Sequence, residues 1–306
     1  MILALDIGGT AIKMAMVDRE GHIALRHPET PTGTDGFRVP VIQAAAAAIR
    51  AFLRDSALSP EGIAVSAAGQ IDTHSGVVIG TNGGIPGYEG TPIVQTLEEE
   101  FHLPVSALND AGAAALGEAF AGRARGYRHV LLVTLGTGVG GGVILNGSVY
   151  GGRRGIAGEI GHFTLDRNGP FCTCGRKGCF ECYASVSALV RKAAALTREP
   201  SLNGRAIFAR AASGDACMRA LLDRWIDDIA CGLEGLIHIF NPEMVLIGGG
   251  VSVQKELLID PLREKVLSRL MPRFAEGLQI EAASLANDAG LIGAAAFWLQ
   301  KHGLKP

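Results

Sequence analysis

Residues 2–17, ILALDIGGTAIKMAMV, carry the first of two matching signals from which the architecture can be argued. An apolar run from Ile2 to Leu5 reaches Asp6 and breaks at Gly8-Gly9-Thr10. A second run, Ile12 to Val17, ends in the turn residues Asp18-Arg19-Glu20-Gly21. Two short apolar runs joined by a glycine turn predict a β-hairpin. Glycines at such a turn let backbone N–H groups approach a polyphosphate, Thr10 adds a hydroxyl, and Asp6 at the strand end is placed to hold Mg²⁺ through water. This is not a P-loop, because G-x-x-x-x-G-K-[ST] is absent and the segment after the glycines reads as strand, where a Walker loop opens a helix. Taken alone, the stretch is equally an ordinary tight hairpin.

The second signal is a repeat of the first. Val130 to Leu135 is followed by Gly136-Thr137-Gly138-Val139-Gly140-Gly141-Gly142, then Val143 to Leu145 and an Asn146-Gly147 turn. Asn-Gly between apolar runs is a strong hairpin signal. Two glycine-lined hairpins, one opening each half, predict a duplicated α/β unit with a nucleotide held between the copies. The layout resembles the actin, Hsp70 and hexokinase fold, a duplicated, ribonuclease H-like α/β architecture of two domains with a cleft. The resemblance makes Asp6 to Thr10, with Lys13, the first phosphate loop, and Gly136 to Gly142 the second. The expected domains are 1–109, rejoined by the C-terminal helix 289–306, and 110–288.

Residues 155–185, GIAGEIGHFTLDRNGPFCTCGRKGCFECYAS, hold four of the six cysteines. The spacing His162-x9-Cys172-x-Cys174-x4-Cys179, with Gly175 and Gly178 to bend the backbone, suits a tetrahedral Zn²⁺. Such a site contributes about 10–16 kcal/mol, enough to order a loop with little core of its own. The fourth ligand is His162 or Cys182. Disulfides are the competing account, but nothing else in the chain points to an oxidising compartment. The segment also resembles the signature of the ROK family of sugar kinases and repressors, E-x-G-H followed by C-x-C-G-x-x-G-C-x-E, and every position is present. The resemblance implies His162, Cys172, Cys174 and Cys179 as zinc ligands, Glu159, His162 and Glu181 as sugar contacts, and Cys182 as a spare buried thiol.

The chain has 306 residues, long enough for two cores, and a formal net charge of −2, which gives neither nucleic acid nor a membrane surface a footprint. The 42 glycines fall in short clusters after apolar runs, as turns do. No run is long enough to span a bilayer, the N-terminus lacks a basic leader, and a cytoplasmic location is expected.

Between the glycine hairpins, Val41 to Leu53 reads as a helix and Gly62 to Gly69 as a strand, with Val77 to Gly80 returning toward the loop that contains Asn82. Asn82 is a turn residue by context; by resemblance it contacts sugar, as does Gly69. Leu103 to Leu108 reads as a strand, and Asn109-Asp110-Ala111 opens an Ala-rich helix. Asp110 suits a helix cap; the ROK resemblance instead makes Asn109 and Asp110 sugar ligands and Asp110 the base. Past the cysteines, Ser187 to Leu196, Gly204 to Ser213 and Ala216 to Phe240 read as helices. Met244 to Ile247 reads as a strand leading to Gly248-Gly249-Gly250, a turn common to α/β crossovers that the resemblance assigns to adenosine. Ser252 to Leu270 is expected to be helical in pieces broken by Pro261. The final helix, Asp288 to Leu299, has Asp288 as its cap.

The expected function is therefore an ATP-dependent kinase acting on the 6-hydroxyl of an aldohexose or N-acetylhexosamine, with Mg²⁺ and a structural Zn²⁺ and as a homodimer. Glycine turns, including Thr137, Gly138, Gly140, Gly249 and Gly250, would hold the nucleotide. GTNGGIPGYEGTPI at 80–93 and GIAVSAAGQID at 62–72 look most like N-acetylmannosamine and β-glucoside kinases. N-acetylmannosamine is thus the first choice and glucose the second, with N-acetylglucosamine and allose also in view. The rival is a sugar-responsive repressor, which needs a helix-turn-helix ahead of the first strand; this chain is expected to have no room for one. A non-catalytic sugar sensor is the remaining competitor.

Overall fold

The computed structural model describes residues 1–81 and 85–304, apart from the side chains of Thr34 and Asp35. In chain order the first elements are β1 (Ile2–Ile7), β2 (Ala11–Val17), β3 (Ile23–Pro31), α1 (Val41–Asp55), β4 (Gly62–Ala67), β5 (Gln70–Asp72), β6 (Val77–Gly80), α2 (Ile93–Phe101), β7 (Val105–Asn109) and α3 (Asp110–Ala121). There follow β8 (Val130–Leu135), β9 (Val139–Leu145), β10 (Ser148–Val149), α4 (Glu181–Ala184), α5 (Val186–Thr197), α6 (Gly204–Ala212) and α7 (Ala216–Phe240). The last are β11 (Met244–Gly248), α8 (Asp260–Arg269), α9 (Pro272–Ala275), β12 (Gln279–Ala282) and α10 (Ala289–Lys301).

Two five-stranded sheets have the orders β3-β2-β1-β4-β7 and β10-β9-β8-β11-β12. In the first, β1, β2 and β3 form an antiparallel meander, and β4 and β7 add in parallel beside β1. The second repeats that order, with β11 parallel to both β8 and β12 and a β9-β10 hairpin turned by Asn146 and Gly147, both at positive φ. The duplication expected from the two glycine hairpins is thus present in the strand order itself.

Two compact units divide the chain. One comprises 1–128, 142–158 and 284–306, the other 129–141 and 159–283. The expected division at 109/110 coincides with the start of α3, and both α3 and α10 lie in the first unit.

In that unit β1 is apolar on both faces, as a strand covered on both sides must be. Leu3, Leu5 and Ile7 join a core with Ile49 and Phe52 of α1 and Leu97 of α2, while Ile2 and Ala4 join Ala113 of α3 and Leu291, Ala295, Trp298 and Leu299 of α10. Glu118 of α3 is fully buried and accepts four hydrogen bonds. Oε1 takes those from Ser284 N and Leu285 N at 2.7 and 2.6 Å, and Oε2 those from Arg123 N and Ser284 Oγ at 2.8 and 2.9 Å. The loop entering α10 is therefore tied to α3 by one carboxylate.

Several local expectations change. Gly140, Gly141 and Gly142 belong to β9, so the second glycine turn is only Gly136-Thr137-Gly138. The cap of α3 is Asn109, whose Oδ1 accepts from Ala111 N and Gly112 N, because Asn109 keeps the extended backbone a cap requires and Asp110 is already helical. Asp288 makes no capping bond. Its two oxygens receive Arg26 Nη1 and Nη2, both at 2.7 Å, so a bidentate charged pair occupies the carboxylate instead. Pro261 opens α8, where a missing N–H costs nothing, after a π-helical turn at Lys255–Ile259. Strands β3 and β12 extend the sheets beyond the sequence reading.

Candidate active site

In the first unit the strand register brings three chain segments to one edge. Ile7 pairs with Ala67 and Ala67 with Asn109, so the C-terminal ends of β1, β4 and β7 stand side by side, about 4.8 Å apart. That edge is where open α/β sheets bind ligands. Gly8-Gly9-Thr10, Gly69 and Asp110 all follow from it.

The first glycine turn is fastened from behind. Gly8 N donates to Ala11 O at 3.0 Å, Thr32 N to Thr10 O at 3.0 Å, and the buried Thr32 hydroxyl to Gly8 O at 2.7 Å. Gly9 and Thr10 stay exposed.

Asp6 stands before the turn, with Lys13 opposite it on β2. Burial raises its carboxyl above the usual aspartate range, opposed by the Ser66 hydroxyl, which donates to Oδ1 at 2.7 Å, and by the charge of Lys13. A partly desolvated carboxylate of this kind is suited to a cation or its water shell.

Asn109 spends most of its polar capacity on structure: Oδ1 caps α3 and Nδ2 donates to Gly69 O at 2.8 Å. One amide N–H remains for a ligand. Asp110 is exposed in the first turn of α3, and its Oδ1 accepts from Ala111 N at 2.7 Å. Tyr88 is only 3 % exposed, and its hydroxyl has no hydrogen-bond partner among the described residues. Its phenol is pushed up by burial first, then by the negative charges of Asp110 and Asp6.

In the second unit Thr134 of β8 pairs with Gly248 of β11, so the turn at Gly136-Thr137-Gly138 and the turn at Gly249-Gly250 leave the same sheet edge. Gly136 N donates to Gly138 O at 3.0 Å. Glu181, the first residue of α4, reaches this turn: Oε2 accepts from Val139 N at 3.0 Å, and a Cβ at Gly138 would overlap it. Glu159 is exposed at the start of the 3-10 turn Ile160–His162, and His162 N donates to Glu159 O at 3.0 Å.

His162, Cys172, Cys174 and Cys179 bring one ligand atom each within 4.8 Å of one another. A tetrahedral ion with metal–sulfur bonds of about 2.3 Å and metal–nitrogen bonds of about 2.0–2.1 Å sets its ligand atoms about 3.5–3.8 Å apart. Cys172 Sγ lies 3.6 Å from His162 Nδ1, and Cys174 Sγ lies 3.5 Å from Cys179 Sγ. All six cysteines are free thiols. The set therefore fits a bound ion and does not fit disulfides.

The loop is folded for this by Cys172 N donating to Arg176 O at 2.7 Å and Gly175 N to Cys172 O at 3.0 Å. Burial, then the neighbouring thiols Cys174 and Cys172, push Cys179 up to about 12, whereas the Arg176 backbone N–H pulls Cys174 down to about 6. Cys182 packs beside Cys172 and Cys179 but is not one of the four, its thiol lying 3.7 Å from Phe171 O, with burial, then the neighbouring Cys172, pushing it up to about 11. His162, not Cys182, completes the group of four.

The sequence matches the ROK family over residues 2–301. The chain belongs to the ROK family. A glucokinase of Thermotoga maritima is 35% identical, with 99% of this chain and 98% of that protein covered. Among solved structures, a ROK family glucokinase from Streptomyces griseus in complex with glucose and AMPPNP superposes with a TM-score of 0.81 at 33% identity, covering 98% of this chain and 99% of that one. Lmo2764 of Listeria monocytogenes, put forward as an N-acetylmannosamine kinase, gives 0.84 at 33% identity and the same coverage. The two-sheet α/β structure is the actin and hexokinase type of ROK sugar kinases.

Seen as a ROK chain, the candidate residues form two sets. Asp6, Gly8, Gly9, Thr10, Lys13, Gly69, Asn109 and Asp110 belong to the first unit; Thr137, Gly138, Gly140, Glu159, His162, Glu181, Gly249, Gly250 and the three cysteines belong to the second. Asn82 lies outside the described residues. Ser66 and Tyr88 were missed. A serine inside an otherwise apolar strand was the available signal for Ser66; Tyr88 carried only the weaker signal of an aromatic in a Gly/Pro loop.

Proposed function

We propose that the chain is an ATP-dependent hexokinase that transfers the γ-phosphoryl group of Mg·ATP to the 6-hydroxyl of an aldohexose, with glucose as first substrate. The observation that carries this is the end-to-end match to a ROK glucokinase bound to glucose and AMPPNP. It is supported by two glycine turns, each at the C-terminal edge of its own parallel strands. N-acetylmannosamine, favoured by the 80–93 loop and by the likeness to Lmo2764, is the second reading.

In this proposal Asp110 accepts the proton of the 6-hydroxyl as phosphoryl transfer proceeds. Its place in the first turn of α3 favours the ionised form, so it orients the hydroxyl first and takes the proton late. Asn109 contributes its remaining amide N–H to the sugar, and chiefly holds Asp110 by capping α3. Asn82, Gly69, Gly138, Glu159, His162 and Glu181 complete the sugar contacts. Backbone N–H groups of Gly8-Gly9-Thr10 and Gly136-Thr137-Gly138, with Lys13, hold the phosphates, Gly140 supports the second turn from β9, and Gly249-Gly250 takes the adenosine side. Asp6 holds the water shell of Mg²⁺, which when bound offsets charge on the phosphates. Positioning and charge stabilisation are most of what phosphoryl transfer asks of a protein.

His162, Cys172, Cys174 and Cys179 would hold one structural Zn²⁺, fixing the backbone that carries Glu159 and Glu181. Among the described residues no helix is long and apolar enough to cross a membrane. A cytoplasmic homodimer is part of the proposal.

The test is ADP-coupled turnover on glucose, N-acetylmannosamine, N-acetylglucosamine and allose, with metal analysis beside it. Turnover on glucose above the others and about one zinc per chain are expected. Preference for N-acetylmannosamine would select the second reading. Sugar binding with no ADP release from any hexose would refute the kinase.

A further inference from the structure

The metal-bearing segment touches the second glycine turn at three points. Val139 N donates to Glu181 Oε2 at 3.0 Å, and Val186 N donates to Gly136 O at 2.9 Å. Gly161 presses so close to the Val139 carbonyl that a Cβ there would overlap it. These contacts are tied to metal donors: Gly161 immediately precedes His162, and Glu181 is two residues past Cys179, with its Oε1 at 3.8 Å from Cys172 Sγ. Val186 opens α5 directly after the helix that Glu181 begins. That short helix is fixed in turn by Trp225, whose fully buried indole N–H donates to Ala184 O at 3.1 Å. By contrast the turn closes on itself through a single backbone bond, Gly136 N to Gly138 O at 3.0 Å. Its shape is therefore borrowed from its neighbours.

We infer that Glu181 is a positioning residue through which the ordered metal-bearing segment holds the second glycine turn in its phosphate-binding shape. Metal removal would then loosen the nucleotide side as well as the sugar contacts. The functional half rests on the proposed phosphate role of this turn; the mechanical half does not. Glycine at 138 leaves the space the carboxylate needs, and the charged acceptor makes the Val139 bond one of the stronger kind.

The experiment is hydrogen–deuterium exchange of peptides covering 136–142, with the β11 peptide at 244–248 as internal control. It is run on the metal-loaded protein, the chelator-stripped protein, Glu181→Ala and Glu181→Gln, with metal content and Mg·ATP affinity measured on each. Glu181→Ala is expected to keep its ion and its β11 protection while the Val139 amide exchanges roughly tenfold faster or more. Glu181→Gln retains an acceptor and should stay within a few-fold of wild type. The stripped protein should resemble Glu181→Ala in this peptide, and Mg·ATP affinity should fall in parallel. Unchanged Val139 exchange in metal-loaded Glu181→Ala overturns the inference. Faster exchange with unchanged Mg·ATP affinity upholds the latch and overturns the phosphate role of the turn.

Discussion

Glu118→Gln isolates the carboxylate that ties the α10 entry loop to α3. In the native chain each oxygen accepts two hydrogen bonds in a fully buried setting. An amide replaces one of those acceptors with a donor. If its nitrogen takes the Oε1 position, Ser284 N and Leu285 N both lose their partner. If it takes the Oε2 position, the Ser284 hydroxyl can rotate to accept, and only Arg123 N–H is stranded, so this is the cheaper arrangement. One unsatisfied buried N–H costs about 1–3 kcal/mol, and the two bonds left weaken as their acceptor loses its charge, for a total of about 2–4 kcal/mol. Glu118→Ala strands three backbone N–H groups, about 3–9 kcal/mol, against a whole stability of about 5–15 kcal/mol. Urea denaturation followed by circular dichroism is the assay, with a thermal midpoint for Glu118→Gln lower by about 4–12 °C. A Glu118→Gln protein within about 0.5 kcal/mol of wild type would refute the assignment.

Asp110→Asn should fold with an unchanged melting curve and lose about 10²-fold or more in turnover, since the proton acceptor is removed while the Asn109 cap is kept; undiminished turnover would exclude it as the base. Tyr88→Phe should raise the stability of the ligand-free protein by about 1 kcal/mol, because it deletes a buried hydroxyl with no partner among the described residues, and a loss of stability would show that the hydroxyl is satisfied. Asp6 has a folded pKa raised above the 3.8 of an unperturbed aspartate, so the stability it contributes is present below that value and is lost as pH rises through the folded pKa. The stability gap favouring Asp6→Asn should therefore widen from about pH 4 upward and then level off, while Mg·ATP turnover is lost; a gap that narrows with pH would contradict the burial argument.

What could be read from the chain was what is local. The glycine turns and the Asn146-Gly147 hairpin declare themselves within a few residues, and the candidate metal donors lie close enough in sequence for their spacing to suggest the chemistry. Strand β3 hid because it is an edge strand with Pro28 and Pro31 and no clean alternation of buried and exposed positions. Asn109 and Asp110 are both good caps by type, and only the backbone at Asn109 decides between them. Nothing local marks Glu118 as buried, because its partners Ser284 and Leu285 lie far along the chain. Glu181 was marked by its neighbourhood to the cysteines, yet its bond to Val139 spans 42 residues and has no local signature.

The position of α10 also bears on how the polypeptide matures at the ribosome. Leu291, Ile292, Trp298 and Leu299 are synthesised long after the strands β1, β2 and β4 that they help to cover, and burying them is worth roughly 6–12 kcal/mol, comparable with the stability of a whole domain. The sheet of β1, β2, β3, β4 and β7 waits without the helix that completes one of its faces until α10 has been made, while the segments at 129–141 and 159–283 are already available to collapse. Nascent chains stalled before Ala289 would thus present Ile2, Ala4 and Ala64 to chaperones, and release of the final helix would end that exposure.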